Sequence, residues 1–181
     1  MTERDATVGL RDSLPTAKTR SHPAITEPLA LGALLSAMHA YSGHPCTVVA
    51  LKLSPLLLVR PGELQALTGH GRYVFGTSAK ADRPMSENTV NKALQAMGYP
   101  GSVQTAHGFR ASARTIMDEV LNERVDLIEH QLAHTVKDAN GRAYNRTTHL
   151  PGRRAMLQRW ADYLDQLRTG AQVIELHSKV A

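Results

Sequence analysis

The stretch that decides the fold is TAHGFRASARTIMDEVLNERVDLIEHQLAH, residues 105–134. Apolar side chains recur in it at helical spacing, first from Phe109 onward and again around Ile128. The first set is Phe109, Ala113, Ile116, Met117, Val120 and Leu121, and the second is Val125, Ile128 and Leu132. We therefore predict two consecutive helices here.

The same periodicity extends to most of the remaining chain. A helix is expected from Glu27 to Tyr41, and an apolar segment from Thr47 to Val59 predicts a central helix that is bent or restarted at Pro55. Further helices are expected in three places: a short one starting at Pro61, one that Ser86 caps and Gly98 ends, and one over 151–167. Residues 72–76 alone predict a strand. The fold class is mainly α with a small β element.

Composition sets the class of protein. The 181 residues include 42% apolar side chains and carry 21 Lys and Arg against 16 Asp and Glu, a formal charge of +5. This predicts one globular, modestly basic domain, for which a polyanion is a plausible partner. With Cys46 as the only cysteine and no signal-like start, we expect a cytoplasmic protein without a disulfide. No apolar run approaches the ~20 residues of a membrane span, so no membrane association is expected.

Five residues stand out as candidates for chemistry, and four of them also have an ordinary structural explanation. Arg60 has the position of a surface ion-pair partner, and His107 that of a helix N-cap. His134 fits a helix end, where the dipole favours a cation, and Tyr144 fits a surface loop. Together with Arg110 they form the order Arg…His-x-x-Arg…His…Tyr. This combination is much less probable by chance than any one of these residues alone.

That order resembles the active-site signature of the tyrosine recombinases, the phage-integrase family. Besides residues 105–134, the segment GRAYNRTTHLPGRRAMLQRWADYL, residues 141–164, looks like the integrases of prophages and genomic islands. LVRPGEL, residues 58–64, resembles the family's first arginine motif, and LTGHGRYVF and RPMSENTVNKAL resemble its middle segment. The resemblance covers most of residues 24–168 and implies the family's catalytic-domain fold, that of the DNA breaking-rejoining enzymes.

The resemblance implies cleavage and rejoining of double-stranded DNA at attachment sites. Tyr144 would attack the scissile phosphate and form a 3′-phosphotyrosyl link, which retains the phosphodiester energy so that no ATP is needed. Arg60 and Arg110 would clamp the phosphate with guanidinium forks that do not titrate. His107 would assist proton transfer, and His134 would hydrogen-bond the phosphate. Glu63 resembles the acidic residue that orients these cations.

No cofactor and no metal are expected. His130 and His134 have the i, i+4 spacing that places two imidazoles on one metal, but the sequence between them is Gln-Leu-Ala. The general-base Glu of a zinc protease is therefore missing, and a single cysteine does not support a structural zinc site.

The chain departs from the family pattern after Gln65. There the family has a β-hairpin whose lysine protonates the leaving 5′-oxygen, followed by a helix, whereas here GELQ continues directly into ALTGHGRYVF. The first lysine after Arg60 is Lys80, which does not match the position of the family's lysine. An alternative function is therefore an impaired integrase remnant that only binds DNA.

The predicted organisation has three parts. Residues 1–24 form a mobile lead-in, and residues 25–169 form the integrase-like catalytic domain, shortened after Gln65. Residues 170–181 form a tail whose apolar side chains include Val173, Ile174 and Leu176. This tail is a candidate for self-association by docking on a neighbouring subunit, and packing on its own domain is the equal alternative.

Overall fold

The computed structural model describes residues 21–65, 73–77, 80–134 and 149–170. The described part is mostly helical, as predicted, with one two-stranded antiparallel sheet. Its elements are α1 (Pro28–Ala40), α2 (Pro45–Leu57), α3 (Pro61–Gln65), β1 (Gly76–Thr77), β2 (Lys80–Pro84), α4 (Thr89–Ala96), α5 (Gly108–Glu119), α6 (Val125–Gln131) and α7 (Leu150–Thr169).

Helix α1 begins where the sequence predicts. The Glu27 carboxylate accepts hydrogen bonds from the backbone N–H groups of Leu29 and Ala30, at 3.1 and 2.6 Å, and Pro28 occupies the first turn. Its buried face consists of Leu31, Gly32, Leu34, Leu35 and Met38. The helix ends at Ala40, one residue before the predicted Tyr41.

Helix α2 passes through Pro55 without restarting, so that part of the prediction was wrong. The helix begins at Pro45, where the His44 ring accepts from the N–H of Cys46, and continues to Leu57. The backbone carbonyl of Pro55 accepts a hydrogen bond from the indole N–H of Trp160 in α7, at 2.8 Å. The proline therefore lies at a packed contact between two helices near the end of α2.

The strand predicted over 72–76 is confirmed only at Gly76, the first residue of β1, and the second strand, β2, was not predicted. Residues 73–75 are irregular, and pairing begins only at Gly76, because the returning strand extends from Lys80 to Pro84. Phe75 is buried, and its carbonyl accepts from the N–H of Met85, at 2.8 Å. The aromatic side chain thus serves the core, and the short sheet follows it.

Helix α4 starts later than the predicted Ser86 cap. Its N-cap is Asn88, and Ser86 instead forms the preceding turn, where its hydroxyl accepts from the Asn88 N–H at 3.3 Å. The C-terminal signal was correct: Gly98 has φ of +90°, a conformation that glycine adopts without strain. Val90, Ala93 and Leu94 are buried, as the periodicity predicts.

The long helix α7 packs against α1, α2 and α6, and α2 in turn contacts α4 and α5. The two helices predicted over 105–134 are α5 and α6, which pack against each other. This arrangement brings the C-terminal ends of α2 and α6 to the N-terminal turn of α5. No helix in the described ranges is both long and apolar enough to cross a bilayer.

The closest approach of α1 and α7 gives a stability prediction. A Cβ added at Gly32 would lie 2.6 Å from the carbonyl oxygen of Leu167, a backbone atom that cannot rotate away. We expect Gly32→Ala to lower the free energy of unfolding by about 1–3 kcal/mol in urea titrations. Gly62→Ala is the matched control, because the nearest atom to its new Cβ is Glu87 Oε1 at 3.7 Å. Equal effects of the two substitutions would contradict the packing described here.

Candidate active site

Arg110 lies in the first turn of α5 and is the most buried charged residue of the candidate set, with 6% exposure. Its Nη1 donates to the carbonyl of Leu58, and its Nη2 donates to the carbonyl of Leu132, both at 2.5 Å. Burial lowers the pKa of Arg110, the charge of Arg60 lowers it further, and Glu63 opposes the change. The guanidinium is therefore fixed in place.

The two carbonyls that hold Arg110 come from the ends of two helices. Leu58 is the C-cap of α2, and Leu132 is the C-cap of α6. Carbonyls at helix C-termini lack intrahelical partners and carry the negative end of the dipole, so they favour a cation. Leu58 has φ of +55° and Ala133, directly after Leu132, has φ of +51°. Each such non-glycine residue costs about 1–3 kcal/mol, which the surrounding packing must offset.

Arg60 and Glu63 form a closed pair at the start of α3. The carboxylate of Glu63 accepts from the backbone N–H of Arg60 at 2.7 Å and from its Nη1 at 3.2 Å. The backbone hydrogen bond and the guanidinium of Arg60 lower the pKa of Glu63, and the charge of Arg110 lowers it further. Both side chains are half exposed. The surface ion-pair explanation of Arg60 thus describes a real contact, and its partner Glu63 is near enough to Arg110 for that charge to lower its pKa.

His107 occupies the N-cap position of α5, but its side chain makes no capping hydrogen bond. Instead its ring packs on the ring of His22, with centroids 4.1 Å apart. Burial lowers the pKa of His107, and the positive charges of His22, Arg110, Arg60 and His134 lower it further. His107 therefore belongs to the same electrostatic neighbourhood as the two arginines.

His22 is a neighbour that the sequence did not reveal. It lies within the predicted lead-in, 85 positions before His107, and no periodicity links the two. The structure holds this segment on α5 and the preceding loop: the N–H of Ile25 donates to Gln104 Oε1 at 2.7 Å, and Thr105 donates to the Pro23 carbonyl at 3.5 Å. A Cβ on Gly108 would collide with the same Pro23 carbonyl, so only glycine fits there.

His134 follows α6 and completes the group. Its Nε2 lies 3.4 Å from Arg110 Nη2, and its Nδ1 lies 2.6 Å from Glu129 Oε2. Glu129 gives no signal in the sequence, because a spacing of five residues does not bring two side chains together on a regular helix. The left-handed Ala133 ends the helix and returns His134 toward Glu129.

Five of the six predicted site residues thus lie in one neighbourhood: Arg60, Glu63, His107, Arg110 and His134. Tyr144 lies outside the described residues. The ring of His130, the other half of the metal-like spacing, packs edge-on against His149 with centroids 5.2 Å apart. Within the described ranges, no group of three or more His, Cys, Asp or Glu side chains is arranged to hold a metal ion.

Comparison with known proteins gives the class to which such a domain belongs. The chain is 40% identical over 123 residues to the integrase of Enterobacteria phage P4, a match covering 67% of this chain and 28% of that relative. It is 38% identical over 117 residues to the prophage integrase IntA of Escherichia coli (strain K12), covering 65% and 28%. With the putative protein IntB of the same strain the identity is 35% over 130 residues, covering 70% and 33%.

The chain belongs to the phage integrase family. It spans about three tenths of the length of these curated relatives. No family model and no solved structure matches the chain.

The burial of Arg110 yields a second prediction. A lysine has a single ammonium group and cannot donate to two carbonyls through a planar fork, so Arg110→Lys should lower the free energy of unfolding by about 2–4 kcal/mol in urea. Arg114→Lys is the control on the same helix, because Arg114 is half exposed and pairs with Asp118 and Glu129 near the surface. Its cost should stay below about 1 kcal/mol. If both lysine variants unfold alike, Arg110 does not anchor the two helix ends.

The lowered pKa of His107 predicts acid sensitivity. An unfolded histidine titrates near ~6.5 and the folded one below it, so the unfolded state binds more protons. The titration of His107 therefore leaves the free energy of unfolding unchanged at pH 8. It lowers this free energy increasingly as the pH falls below about 6.5 toward the folded pKa. We expect His107→Gln to flatten the decline in unfolding free energy between pH 7.5 and 5, and His22→Gln to flatten it partly. A variant with the slope of the parent would exclude this origin.

Proposed function

We propose that this chain acts in site-specific DNA recombination and integration, as the catalytic domain of a tyrosine recombinase. Residues 25–169 would form that domain, with a fold like that of the family's catalytic domain. Double-stranded DNA at attachment sites would be the substrate, cleaved and rejoined through a 3′-phosphotyrosyl intermediate. The printed names of the relatives, integrase and prophage integrase, support this assignment at the family level.

One observation carries the proposal: a buried, doubly anchored arginine lies among a second arginine and two histidines. A phosphate in an in-line displacement accumulates negative charge on its non-bridging oxygens, and preorganised cations stabilise that charge without having to reorganise. Arg110 would be the rigid member of the clamp. Arg60 is more exposed, with Glu63 holding its orientation from the adjacent turn.

In the proposed reaction, the Tyr144 phenol oxygen bonds to phosphorus and the bond from phosphorus to the 5′-oxygen breaks. The phenol proton leaves to a base, and the 5′-oxygen takes up a proton. His107 is our candidate for proton transfer, since its lowered pKa keeps the ring neutral and able to accept a proton at pH 7. In the second step the free 5′-hydroxyl of the partner strand attacks the phosphotyrosyl bond, which releases Tyr144.

The general acid for the 5′-oxygen has no assigned residue. The segment expected to carry the lysine does not follow Gln65 in the sequence, and loss of a general acid slows such a step by about 10²–10⁴. This favours the second candidate function, a remnant that binds DNA without turnover. We further propose that residues 170–181 mediate self-association.

A substrate that needs no general acid separates the two functions. When sulfur replaces the 5′-bridging oxygen of the duplex, the leaving group is a thiolate. Thiols have reference pKa values near ~8.5, far below the pKa values of alcohols, so this leaving group needs no general acid. We expect the protein, incubated with nicked phosphorothiolate duplexes of randomised flanking sequence, to form a denaturation-resistant adduct. With the all-oxygen duplex, adduct formation should be about 10²–10⁴ slower.

Tyr144→Phe should abolish the adduct, and Tyr99→Phe should retain it as the matched tyrosine control. Peptide mapping would place the DNA on Tyr144. A parent protein that binds these duplexes in a salt-sensitive way but forms no adduct with either chemistry would establish the remnant instead.

A further inference from the structure

A carboxylate outside the predicted set touches one of its members. Glu129 Oε2 lies 2.6 Å from Nδ1 of His134, and Nε2 of the same ring lies 3.4 Å from Arg110 Nη2. The Glu129 side chain is 20% exposed, whereas that of His134 is 46% exposed. The carboxylate is thus the more enclosed partner, and the ring is oriented by contacts on both of its nitrogens.

These partners fix where the ring proton resides. A guanidinium nitrogen only donates, so the His134 Nε2 that faces Arg110 presents its lone pair. A carboxylate only accepts, so Nδ1 carries the hydrogen and donates it to Glu129. The neutral ring is therefore the Nδ1–H tautomer.

The carboxylate is itself held from the helix that carries Arg110. Arg114, one turn after Arg110 in α5, donates from Nε to Glu129 Oε1 at 3.0 Å, while Oε2 receives His134. Arg114 also reaches Asp118 at 3.4 Å. Each Glu129 oxygen therefore has its own partner. Through these contacts Glu129 in α6 is linked to Arg114 in α5 and to His134, just beyond the end of α6.

We propose that Glu129 is a positioning residue for His134. It holds the ring through Nδ1–H, so that Nε2 faces the anion site beside Arg110 and, once this nitrogen is protonated, donates its N–H to a bound oxyanion. The meaning of this role rests on the proposed function: if a phosphate binds at Arg110, Glu129 determines which ring nitrogen meets it. Arg114 keeps the carboxylate in place.

The tautomer is measured directly. Long-range ¹H–¹⁵N spectra of the full chain with labelled histidine, recorded at pH 8.5 where imidazole is neutral, distinguish Nδ1–H from Nε2–H rings. We expect His134, assigned by its loss in His134→Gln, to be Nδ1–H in the parent. Glu129→Gln should keep this tautomer because its amide oxygen accepts the same bond. Glu129→Ala should lose it, because the half-exposed ring is then held only by the 3.4 Å contact with Arg110 and can turn away from it. Should Glu129→Ala fail to fold, Glu129→Leu retains the apolar length and serves the same purpose.

Inorganic sulfate probes the anion site when it is titrated at about pH 5.5, where a free imidazole is protonated and its Nε2–H can donate to an oxyanion, while sulfate keeps its charge. A carboxylate acting only through its charge would repel sulfate, so Glu129→Ala would then bind sulfate more tightly than the parent. Positioning predicts the opposite sign: sulfate affinity, followed by the His134 shifts, should fall about 10-fold in Glu129→Ala and less than about 3-fold in Glu129→Gln. Asp118→Ala is the matched control, since it removes a carboxylate from Arg114 without touching His134.

The two results judge two separate claims. If Glu129→Ala retains the Nδ1–H tautomer, or binds sulfate as tightly as or more tightly than the parent, the positioning role is overturned. If sulfate shifts no resonance of His134 in the parent, the anion site of the proposed function fails. The tautomer measurement then still decides the role of Glu129.

Discussion

The candidate site depends on one interaction, the bridge that the Arg110 guanidinium makes between the C-terminal ends of α2 and α6. Without it, the carbonyls of Leu58 and Leu132 would lose the side chain that donates to both of them. With it, three separate elements share one fixed cation. A phosphate-binding arginine placed this way is rigid before any ligand arrives, because its orientation is already determined by the backbone. The same side chain would therefore serve both the fold and the proposed binding of a phosphate.

The other residues of the site, which surround that arginine, differ in how deeply their side chains are buried. His107 is partly enclosed and packed on His22, whereas Arg60 and Glu63 are half exposed and His134 nearly so. The enclosed groups have shifted pKa values, and the cause in each case is burial together with like charge. A cluster of cations that repel one another is costly for the fold. A bound oxyanion would offset this repulsion, because its negative charge attracts the cations of the cluster.

The sequence predicted the helices well because their apolar faces repeat with a 3.6-residue period. The resemblance to the family also named five residues that the structure places in one neighbourhood. Prediction from the sequence failed where local rules compete with packing. The proline rule predicts a bend or a restart at Pro55, yet α2 continues through it to Leu57, where Trp160 bonds to the Pro55 carbonyl. The aromatic pattern predicts Phe75 in a strand, yet this side chain fills the core. Glu129 and His22 could not be predicted from the sequence. The contact of Glu129 with His134 depends on a left-handed turn, and the contact of His22 with His107 spans 85 positions, so neither leaves a periodic signal.

The contact between Trp160 and Pro55 has a spectroscopic consequence. Trp160 is the only tryptophan in the chain, it is 1% exposed, and its indole N–H bonds to a carbonyl three residues before Leu58. The intrinsic fluorescence of the unlabelled protein therefore reports on the helix end that supplies one of the two acceptors of Arg110. Loosening of that helix end changes the polarity around a single fluorophore.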